Sequence, residues 1–196
     1  MTDPNAEQFR LMMVQNFLDD KTCEHIIRAL KNSAQSPATV YGSSQGGKVD
    51  DRVRKVTQVT PSTELQQQIM DHLVTQRSAV GAHFGISLKT CEPPQFLRYQ
   101  IGDFFVAHQD GNTGLIKSER EESRKISIVI FLNDQSDGEG TETYAGGDLL
   151  FRDWRKQQEF PLRGERGLFV AFPAETTHEV VAVTRGERFS IVSWYG

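Results

Sequence analysis

The second half of the chain is a succession of short segments rich in β-branched and aromatic residues, and this pattern constrains the fold more than any other feature. From Pro94 onward the segments follow one another closely, with glycine-rich turns between them. The predicted strands are 95–99, 104–108, 125–132, 148–152, 167–172, 178–183 and 189–195. Short strands at close spacing favour a sandwich or barrel over a parallel α/β sheet. We therefore expect a mostly β fold with supporting α structure, a double-stranded β-helix of the jelly-roll or cupin-like kind.

The N-terminal part adds two helices to this barrel. Residues 9–14 are predicted as a short strand, after which Asp19 or Asp20 can cap a helix that ends near Asn32. Apolar residues recur along it at helical spacing, namely Cys23, Ile26, Ile27 and Leu30. Residues 33–48 are rich in Ser, Gly and Gln and are predicted as a loop.

A second strand and a second helix follow this loop. The strand is expected to begin near Arg54, with Val56 on one face and Thr57 and Val59 on the other. The helix begins at Ser62 or Thr63, which are alternative caps, and runs to about residue 84. Its predicted inner positions are Leu65, Ile69, Leu73 and Val80. Both helices are expected to pack on one side of the barrel.

The chain shows no internal repeat and no linker, so we expect a single domain over residues 1–196. Within it, residues 1–90 form a helical support region and residues 94–196 form the barrel core. Two long polar stretches, 111–124 and 133–145, are expected to be solvated loops, and the first is also a candidate substrate lid.

Composition excludes several classes of partner. The chain carries 22 Lys and Arg against 26 Asp and Glu, a net charge of -4, which gives no electrostatic case for binding nucleic acid or a membrane surface. No apolar run is long enough to span a bilayer, and the N-terminus lacks the features of a secretory signal. The cysteines, Cys23 and Cys91, form no Cys-x-x-Cys pair and are expected to be reduced thiols in the cytoplasm. The sequence leaves the oligomeric state open.

The strongest candidate for chemistry is the pair His108 and Asp110 at the end of a predicted strand. Side chains two residues apart on a strand share a face, so one imidazole and one carboxylate would lie side by side. They are two thirds of the two-His-one-carboxylate set that is typical of non-haem iron(II) oxygenases. With 5 His and 12 Asp in 196 residues, chance alone predicts roughly 0.3 such pairs, so the pair needs support from elsewhere.

Support comes from the last two predicted strands. His178 opens one of them and can supply a third ligand. Arg188 and Ser190 share one face of the next strand, while Phe189 and Ile191 share the other. A buried arginine without a partner inside a barrel is energetically costly. An anionic ligand removes that cost, because a guanidinium can pair with a carboxylate.

Four segments in order carry a resemblance to a known family. They read RYQIGDFFVAHQD over 98–110, YAGGDL over 144–149, GLFVAFP over 167–173 before His178, and GER over 186–188. In this order and spacing, the chain resembles the Fe(II)- and 2-oxoglutarate-dependent dioxygenases, and among them the prolyl-4-hydroxylase-like branch. The resemblance covers about residues 94–195.

The resemblance implies an iron site and an oxidative reaction. The ligands of Fe(2+) would be His108, Asp110 and His178, and the co-substrates would be 2-oxoglutarate and O2, with ascorbate as an additional cofactor. Halogenating relatives carry a small residue in place of the carboxylate, so the presence of Asp110 favours hydroxylation.

The resemblance also implies how the co-substrate is held. Arg188 would pair with the distal carboxylate of 2-oxoglutarate, Tyr99 would hydrogen-bond to the co-substrate, and Ser190 would add a hydroxyl donor. Relatives that demethylate nucleic acids have a second arginine six residues after the first, a position that is Trp194 in this chain. This difference argues against a nucleic-acid substrate.

Several alternatives remain open at this stage. The favoured function is hydroxylation of a C–H bond, with decarboxylation of 2-oxoglutarate to succinate, on a prolyl residue of a peptide or protein. The substrate could instead be a free amino acid or natural-product intermediate, or the barrel could be a non-catalytic sensor of metal or 2-oxoglutarate. A cupin-type enzyme without a co-substrate would leave Arg188 unexplained.

The roles of six further residues also remain open. Some are either substrate contacts or ordinary surface and packing residues, namely Arg52, Arg54, Arg98 and Trp194. The glycines at 146 and 147 allow either a close backbone approach or a plain turn.

Overall fold

The computed structural model describes residues 7–38, 52–111, 123–138, 140 and 142–196. They contain two helices, α1 (Asp20–Lys31) and α2 (Thr63–Phe84). The strands of the N-terminal part are β1 (Met12–Val14), β2 (Ala34–Pro37), β3 (Arg54–Lys55) and β4 (Thr57–Thr60). The later strands are β5 (Gln95–Tyr99), β6 (Phe104–His108), β7 (Ile126–Phe131), β8 (Ala145–Gly146), β9 (Leu149–Asp153), β10 (Gln158–Leu162), β11 (Phe169–Pro173), β12 (Thr177–Val180), β13 (Val183–Arg185) and β14 (Arg188–Tyr195).

Two antiparallel sheets face each other and form the barrel. The larger sheet has seven strands in the order β1-β11-β7-β14-β5-β4-β2, and the smaller has five in the order β10-β9-β12-β6-β3. A two-stranded pair of β13 and β8 lies apart from both. Most neighbouring strands are not consecutive in the chain, which is the connectivity of a jelly roll. The expected mostly β, jelly-roll fold is therefore confirmed.

The core is divided between the two faces of the larger sheet. One cluster of buried side chains fills the space between the sheets, and it includes Leu97, Val129, Phe151 and Phe172. A second cluster lies on the outer face of the larger sheet, where both helices pack against residues such as Ile130. The prediction that both helices lie on one side is confirmed.

Each helix has the cap and the inner face that its sequence predicts. Asp19 accepts a hydrogen bond from the Thr22 backbone N–H at the start of α1, and Ser62 accepts one from Leu65 at the start of α2. The predicted apolar positions of both helices are buried, namely Cys23, Ile26, Ile27, Leu30, Leu65, Ile69, Leu73 and Val80. No helix in the described part of the chain has the length and apolarity needed to cross a membrane.

Three predictions for the N-terminal part need correction. The first strand covers 12–14 rather than 9–14, although Phe9 is buried in the core between the sheets. The expected loop over 33–48 contains β2, which pairs with β4, while residues 39–51 lie outside the described part of the chain. Every residue of β2 is exposed, so no alternation of apolar residues could reveal it. The single strand expected from Arg54 to Val59 is two strands in different sheets, because the chain crosses between the sheets at Val56.

The later strands also differ in places from the prediction. The segment expected as one strand over 178–183 ends at Val180, and the chain resumes pairing at Val183 in a different sheet. Neither β8 nor β10 was predicted. Strand β8 has only two residues. Strand β10 contains Pro161 and exposed polar residues, and it lies at the edge of its sheet, where proline is tolerated.

Candidate metal centre and anion pocket

Three candidate metal ligands converge where two neighbouring strands meet. His108 is the last residue of β6 and His178 lies in β12, and the two are directly opposite each other in the antiparallel ladder. Asp110 follows in the turn after β6, where its backbone N–H donates to the carbonyl of Ala174 at 2.9 Å. The potential ligand atoms of the three side chains lie within 4.8 Å of one another. The fold therefore brings together the three residues that the sequence separates.

The hydrogen bonds around the two imidazoles determine which nitrogen faces Asp110. The Nδ1 atom of His108 lies 2.9 Å from the Val106 carbonyl, and that of His178 lies 2.9 Å from the Thr176 carbonyl. A carbonyl can only accept, so each Nδ1 carries the proton and each neutral ring presents a lone pair at Nε2. These Nε2 atoms are each 3.5 Å from a carboxylate oxygen of Asp110. Two lone pairs and a carboxylate that converge in this way fit a divalent cation, and this set of donors fits Fe(II).

Burial keeps the cluster in the protonation state that a metal needs. Burial, followed by the nearby His108, lowers the pKa of His178 to about 4, against smaller opposing effects of Asp110 and the Thr176 carbonyl. Burial by itself would raise the pKa of Asp110, but the two imidazoles and the N–H of Trp194 outweigh it and hold that pKa below its ordinary range. At neutral pH the cluster is therefore an ionised carboxylate beside a neutral His178.

Aromatic side chains fix the orientation of the imidazoles. The ring of Phe105 stacks on His108, with 3.6 Å between the ring centroids. The rings of Phe151 and Phe172 pack against His178, at centroid distances of 6.4 and 4.8 Å. Because these contacts restrict the rotation of both rings, the two nitrogen ligands are pre-positioned.

A buried guanidinium lines the same cavity. Arg188, only 1% exposed, lies with its Cζ atom 4.9 Å from the ring centroid of Tyr99 and 5.0 Å from that of Phe131. Its Nη1 donates to Ser190 Oγ at 2.9 Å, whereas its Nε has no hydrogen-bond partner within the described residues. No carboxylate in the described part of the chain forms an ion pair with it. A buried cation with these properties is a site for an anion.

Tyr144 adds an unsatisfied hydroxyl beside this guanidinium, and sequence reasoning did not single it out. The side chain is fully buried, and its hydroxyl has no hydrogen-bond partner among the described residues. Burial raises its pKa to about 12, although Arg188 opposes the shift, so the phenol stays protonated. A Cβ atom at Gly147 would lie 3.0 Å from Arg188 Cδ and 3.1 Å from Tyr144 Cε2, so a glycine is needed where the two side chains meet.

One cavity of about 760 Å³ connects the metal centre to the anion pocket. Its volume lies within the usual range for small-molecule sites, roughly 300–1,000 Å³. The cavity continues from the two sites to Gln95 and Thr60 near the ends of β5 and β4. All six residues predicted for the site line it, namely Tyr99, His108, Asp110, His178, Arg188 and Ser190.

The remaining candidate contacts divide into two groups. Arg54 and Trp194 line the cavity, with the guanidinium of Arg54 4.8 Å from the ring centroid of Phe105. Arg98 forms an ion pair with Glu187 and does not line the cavity, so a structural role fits it. Arg52 is exposed. Most of the candidate lid, residues 112–122, lies outside the described part of the chain.

The second polar loop and the two glycines have defined structural roles. In the loop, the side chain of Asn133 donates to the carbonyls of Glu142 and Glu187 and accepts from the Phe189 backbone N–H. A Cβ atom at Gly146, where φ is 67°, would lie 2.4 Å from the Ala182 carbonyl oxygen. At Gly146 the close backbone approach is therefore the alternative observed, whereas a Cβ atom at Gly147 would meet side chains.

Ser127 is a further site residue that sequence reasoning missed. Its hydroxyl donates to Asp110 Oδ2 at 2.7 Å, and the side chain is 1% exposed. A signal was available, because Ser127 is the one polar residue of β7, in a segment that reads ISIVIF. A hydroxyl in a buried apolar strand needs a partner, and Asp110 is that partner here.

Fold and site together define a jelly-roll protein that can hold a divalent metal ion next to an anionic ligand. The sequence profile of the 2OG-Fe(II) oxygenase superfamily matches residues 94–196, slightly more than half of the chain. The chain therefore belongs to the 2OG-Fe(II) oxygenase superfamily, and it is an enzyme of the dioxygenase type whose cofactor is Fe(2+) and whose co-substrates are 2-oxoglutarate and O2.

Curated relatives are named as hydroxylases. A PKHD-type hydroxylase of Acidovorax ebreus is 26% identical over 170 residues, which cover 86% of this chain and 71% of the relative. A PKHD-type hydroxylase of Shewanella baltica is 32% identical over 135 residues, which cover 66% of this chain and 53% of the relative. The chain thus spans about half the length of the second relative.

Solved structures with the same fold include two prolyl hydroxylases. A prolyl-4-hydroxylase of Pseudomonas putida superposes with a TM-score of 0.72 at 21% identity, covering 97% of this chain and 95% of the other. A prolyl hydroxylase of Trichoplax adhaerens, in complex with a peptide fragment, superposes with a TM-score of 0.71 at 14% identity and covers 97% and 85%. These likenesses concern the fold, which the chain shares with both prolyl hydroxylases.

Proposed function

We propose that this enzyme hydroxylates a C–H bond of a prolyl residue in a peptide or protein and decarboxylates 2-oxoglutarate to succinate. The observation that carries the proposal is the buried Arg188, which faces the same cavity as the His108, Asp110 and His178 cluster. A metal site alone would not require a buried cation beside it. A dicarboxylate that reaches from the metal to the guanidinium accounts for both features.

In this proposal the three clustered side chains hold Fe(II). The Asp110 carboxylate offsets part of the metal's charge, and the Nδ1 hydrogen bonds keep both imidazoles in the tautomer that presents Nε2. When bound, the iron together with O2 and 2-oxoglutarate supplies the oxidising step, and the protein orients the reactants around it. Apolar side chains such as Leu149 and Val180 line the cavity and limit the access of water.

The co-substrate would lie along the inner face of β14 and β5. Arg188 would pair with its distal carboxylate, and Ser190 would donate a further hydrogen bond to the same group. Tyr99, 2% exposed and opposite Arg188 in the ladder, would donate its phenol to the co-substrate. Binding would then satisfy the guanidinium of Arg188, which is otherwise a buried charge without an anionic partner.

A prolyl substrate is supported by the relatives and by the extent of the cavity. The similar structures include a prolyl-4-hydroxylase and a prolyl hydroxylase that binds a peptide fragment. The cavity extends beyond the metal centre toward Gln95 and Thr60, where a larger substrate could enter. We further propose a cytoplasmic location, which fits the free thiols of Cys23 and Cys91.

The test is succinate formation by the protein with Fe(II) and 2-oxoglutarate, with and without ascorbate. Peptides that contain proline should stimulate succinate formation and gain the mass of one oxygen atom, whereas the same peptides with alanine should not. Stimulation by free amino acids alone would favour the small-molecule alternative. Tight binding of 2-oxoglutarate with no succinate for any substrate would favour the sensor alternative.

Variants connect this activity to the cluster. His108→Ala and Asp110→Ala should each abolish metal-dependent turnover, because each removes one of three metal ligands. His25→Ala, at an exposed position of α1, is the matched control and should retain activity. Full activity of Asp110→Ala would contradict the assignment of the iron ligands.

A further inference from the structure

The carboxylate of Asp110 is held on one of its two oxygens. Oδ2 accepts the hydroxyl hydrogen bond of Ser127 at 2.7 Å and lies 3.5 Å from Nε2 of His178. Oδ1 lies 3.5 Å from Nε2 of His108. Since a hydroxyl donor occupies Oδ2, Oδ1 is the oxygen that the turn after β6 offers to a cation.

The strand next to Ser127 brings a second donor to the same place. Ser127 and Trp194 are directly opposite each other in the antiparallel ladder of β7 and β14, and both side chains face the cavity side of the sheet. Trp194 lines the cavity together with Asp110 and is 7% exposed. Its indole N–H is buried and has no hydrogen-bond partner of ordinary geometry among the described residues.

An ion pair holds the indole in position. The guanidinium of Arg124 lies 3.7 Å from the ring centroid of Trp194. The same guanidinium forms two hydrogen bonds to the carboxylate of Glu92, at 2.6 and 2.9 Å. A stacked cation that is itself anchored in two places restricts the rotation of the ring. The indole N–H therefore stays next to the carboxylate of Asp110, and a buried donor in this position can form a hydrogen bond to that carboxylate.

We propose that Ser127 and Trp194 are positioning residues that hold the carboxylate of Asp110, Ser127 through its bond to Oδ2 and Trp194 through its indole N–H, so that Oδ1 is presented to the metal. The inference rests on the iron site proposed above and concerns residues that do not touch the metal themselves. A carboxylate that could rotate freely would lose that rotational freedom when a metal binds, and this loss of entropy would lower the metal affinity. In other metal sites, removal of a residue that hydrogen-bonds to a metal ligand typically lowers metal affinity or activity by about 10–100-fold.

The test measures metal affinity rather than turnover. The wild-type protein and its variants are titrated with Mn2+ in the absence of 2-oxoglutarate, and free Mn2+ is counted by electron paramagnetic resonance. We expect one site in the wild type, a loss of affinity of roughly 10–100-fold in Ser127→Ala, and recovery of most of that loss in Ser127→Thr, which restores a hydroxyl. Asp110→Ala gives the reference for a destroyed site.

Ser193→Ala is the matched control. Ser193 is a fully buried serine on β14, and its hydroxyl donates to the Glu92 carbonyl at 2.7 Å. It resembles Ser127 in burial and hydrogen bonding but does not contact Asp110. Its variant should bind Mn2+ like the wild type, and an equal loss in both serine variants would assign the effect to a general disturbance of the β7–β14 pair and overturn the proposal.

Two further outcomes separate this proposal from the proposed function. If the wild type binds Mn2+ and Ser127→Ala binds it equally well, the positioning role is wrong and the iron site stands. If neither binds Mn2+, the iron site itself is wrong and the positioning role fails with it.

The contribution of the indole is measured with Trp194→Phe, which keeps an aromatic ring under Arg124 but removes the N–H donor. We expect a smaller loss of affinity than for Ser127→Ala. If both side chains hold the same oxygen, the double variant should deviate from the sum of the single effects, as residues in one hydrogen-bond network do. Strict additivity, or no loss in Trp194→Phe, would remove Trp194 from the proposal.

Discussion

In the proposed function, Arg188 is the side chain that would bind the anionic co-substrate. It is buried, its Nη1 is satisfied by Ser190, and within the described residues no carboxylate balances its charge. A structural arginine at such a position would normally have an acidic partner, as Arg98 has in Glu187, the residue just before β14. Arginines on the neighbouring strands β5 and β14 therefore have different surroundings, and only Arg188 is left with a charge that an anionic ligand could balance.

Arg188→Gln should weaken binding of 2-oxoglutarate. Loss of one partner from a buried, hydrogen-bonded charge pair costs about 2–5 kcal/mol, which corresponds to a loss of affinity of roughly 30-fold or more. The measurement is calorimetric titration of the Mn2+-loaded protein with 2-oxoglutarate. Arg98→Gln is the control and should bind like the wild type, and equal affinity in both variants would contradict the co-substrate site.

His178 makes the stability of the metal-free protein depend on pH. Its pKa falls from 6.5 in the unfolded chain to about 4 in the folded protein, mainly through burial, so the unfolded state takes up a proton first as the pH decreases. Stability should therefore be fully present above about pH 6.5 and should decrease as the pH falls toward 4. The lowered pKa of Asp110 adds a further loss in more acidic solution, below the ordinary range of an aspartate.

Urea unfolding of the metal-free protein at pH 7 and pH 5 measures this effect. His178→Gln removes the titrating group and should show a smaller loss of stability between the two pH values. His25→Gln, on the exposed face of α1, should keep the loss seen in the wild type. A wild-type protein that is equally stable at pH 7 and pH 5 would contradict the assigned burial of His178.

Among the elements, the turn that joins β8 to β9 is tightly constrained by its glycines. Gly146 and Gly85 have nearly the same backbone conformation, with φ of 67° and 68°. A Cβ atom at Gly146 would lie 2.4 Å from the Ala182 carbonyl oxygen, whereas one at Gly85 would meet nothing within 4 Å. Conformation alone therefore explains Gly85 at the end of α2, while Gly146 also allows two backbones to approach.

Gly146→Ala should destabilise the protein more than Gly85→Ala. Both substitutions place a side chain on a residue with positive φ, which costs about 1–2 kcal/mol of strain. Only Gly146→Ala must also displace the backbone at Ala182. Urea unfolding of the two variants gives the comparison. Equal losses would mean that the β8–β9 turn can relax at little cost.

The second helix stabilises the barrel through its inner face. Ile69 is fully buried against the outer face of the larger sheet, whereas Val74 on the same helix is 42% exposed. Ile69→Ala should lower the free energy of unfolding by about 2–5 kcal/mol, because it removes buried methylene groups and leaves a cavity. Val74→Ala should cost much less, and a similar loss in both would contradict the packing of α2 on the sheet.

At the scale of the whole molecule, much of the fold was predictable from periodicity. The helices and the long inner strands carry clear apolar patterns, and β7 (Ile126–Phe131), which lies within the predicted segment 125–132, is buried along its whole length. What could not be predicted depends on contacts between distant segments. The exposed β2 has no apolar alternation, and the crossing between sheets at Val56 is decided by which strand each side pairs with.

The site was predictable to a similar depth. Residue types and order were enough to predict that four side chains share one cavity, namely His108, Asp110, His178 and Arg188. Ser127 could not be assigned to Asp110, since the two are brought together by backbone hydrogen bonds that join Asp110 and Lys125 to Ala174, far along the chain. Spacing along the chain does not contain that information.

The N-terminal part is also more than a support for the barrel. Strands β1, β2 and β4 belong to the larger sheet, and β3 belongs to the smaller one. These pairings support the proposal of a single domain over residues 1–196, in which the N-terminal strands and the barrel core share the same two sheets.

The central claim is that one cavity holds Fe(II) and 2-oxoglutarate together. The most direct measurement is anaerobic titration of the Fe(II)-loaded protein with 2-oxoglutarate, following the weak visible charge-transfer band of a keto acid chelated to iron. We expect the band to appear in the wild type and to be lost in Arg188→Gln at the same concentration of 2-oxoglutarate. Binding of Fe(II) without any band in the wild type would contradict the claim.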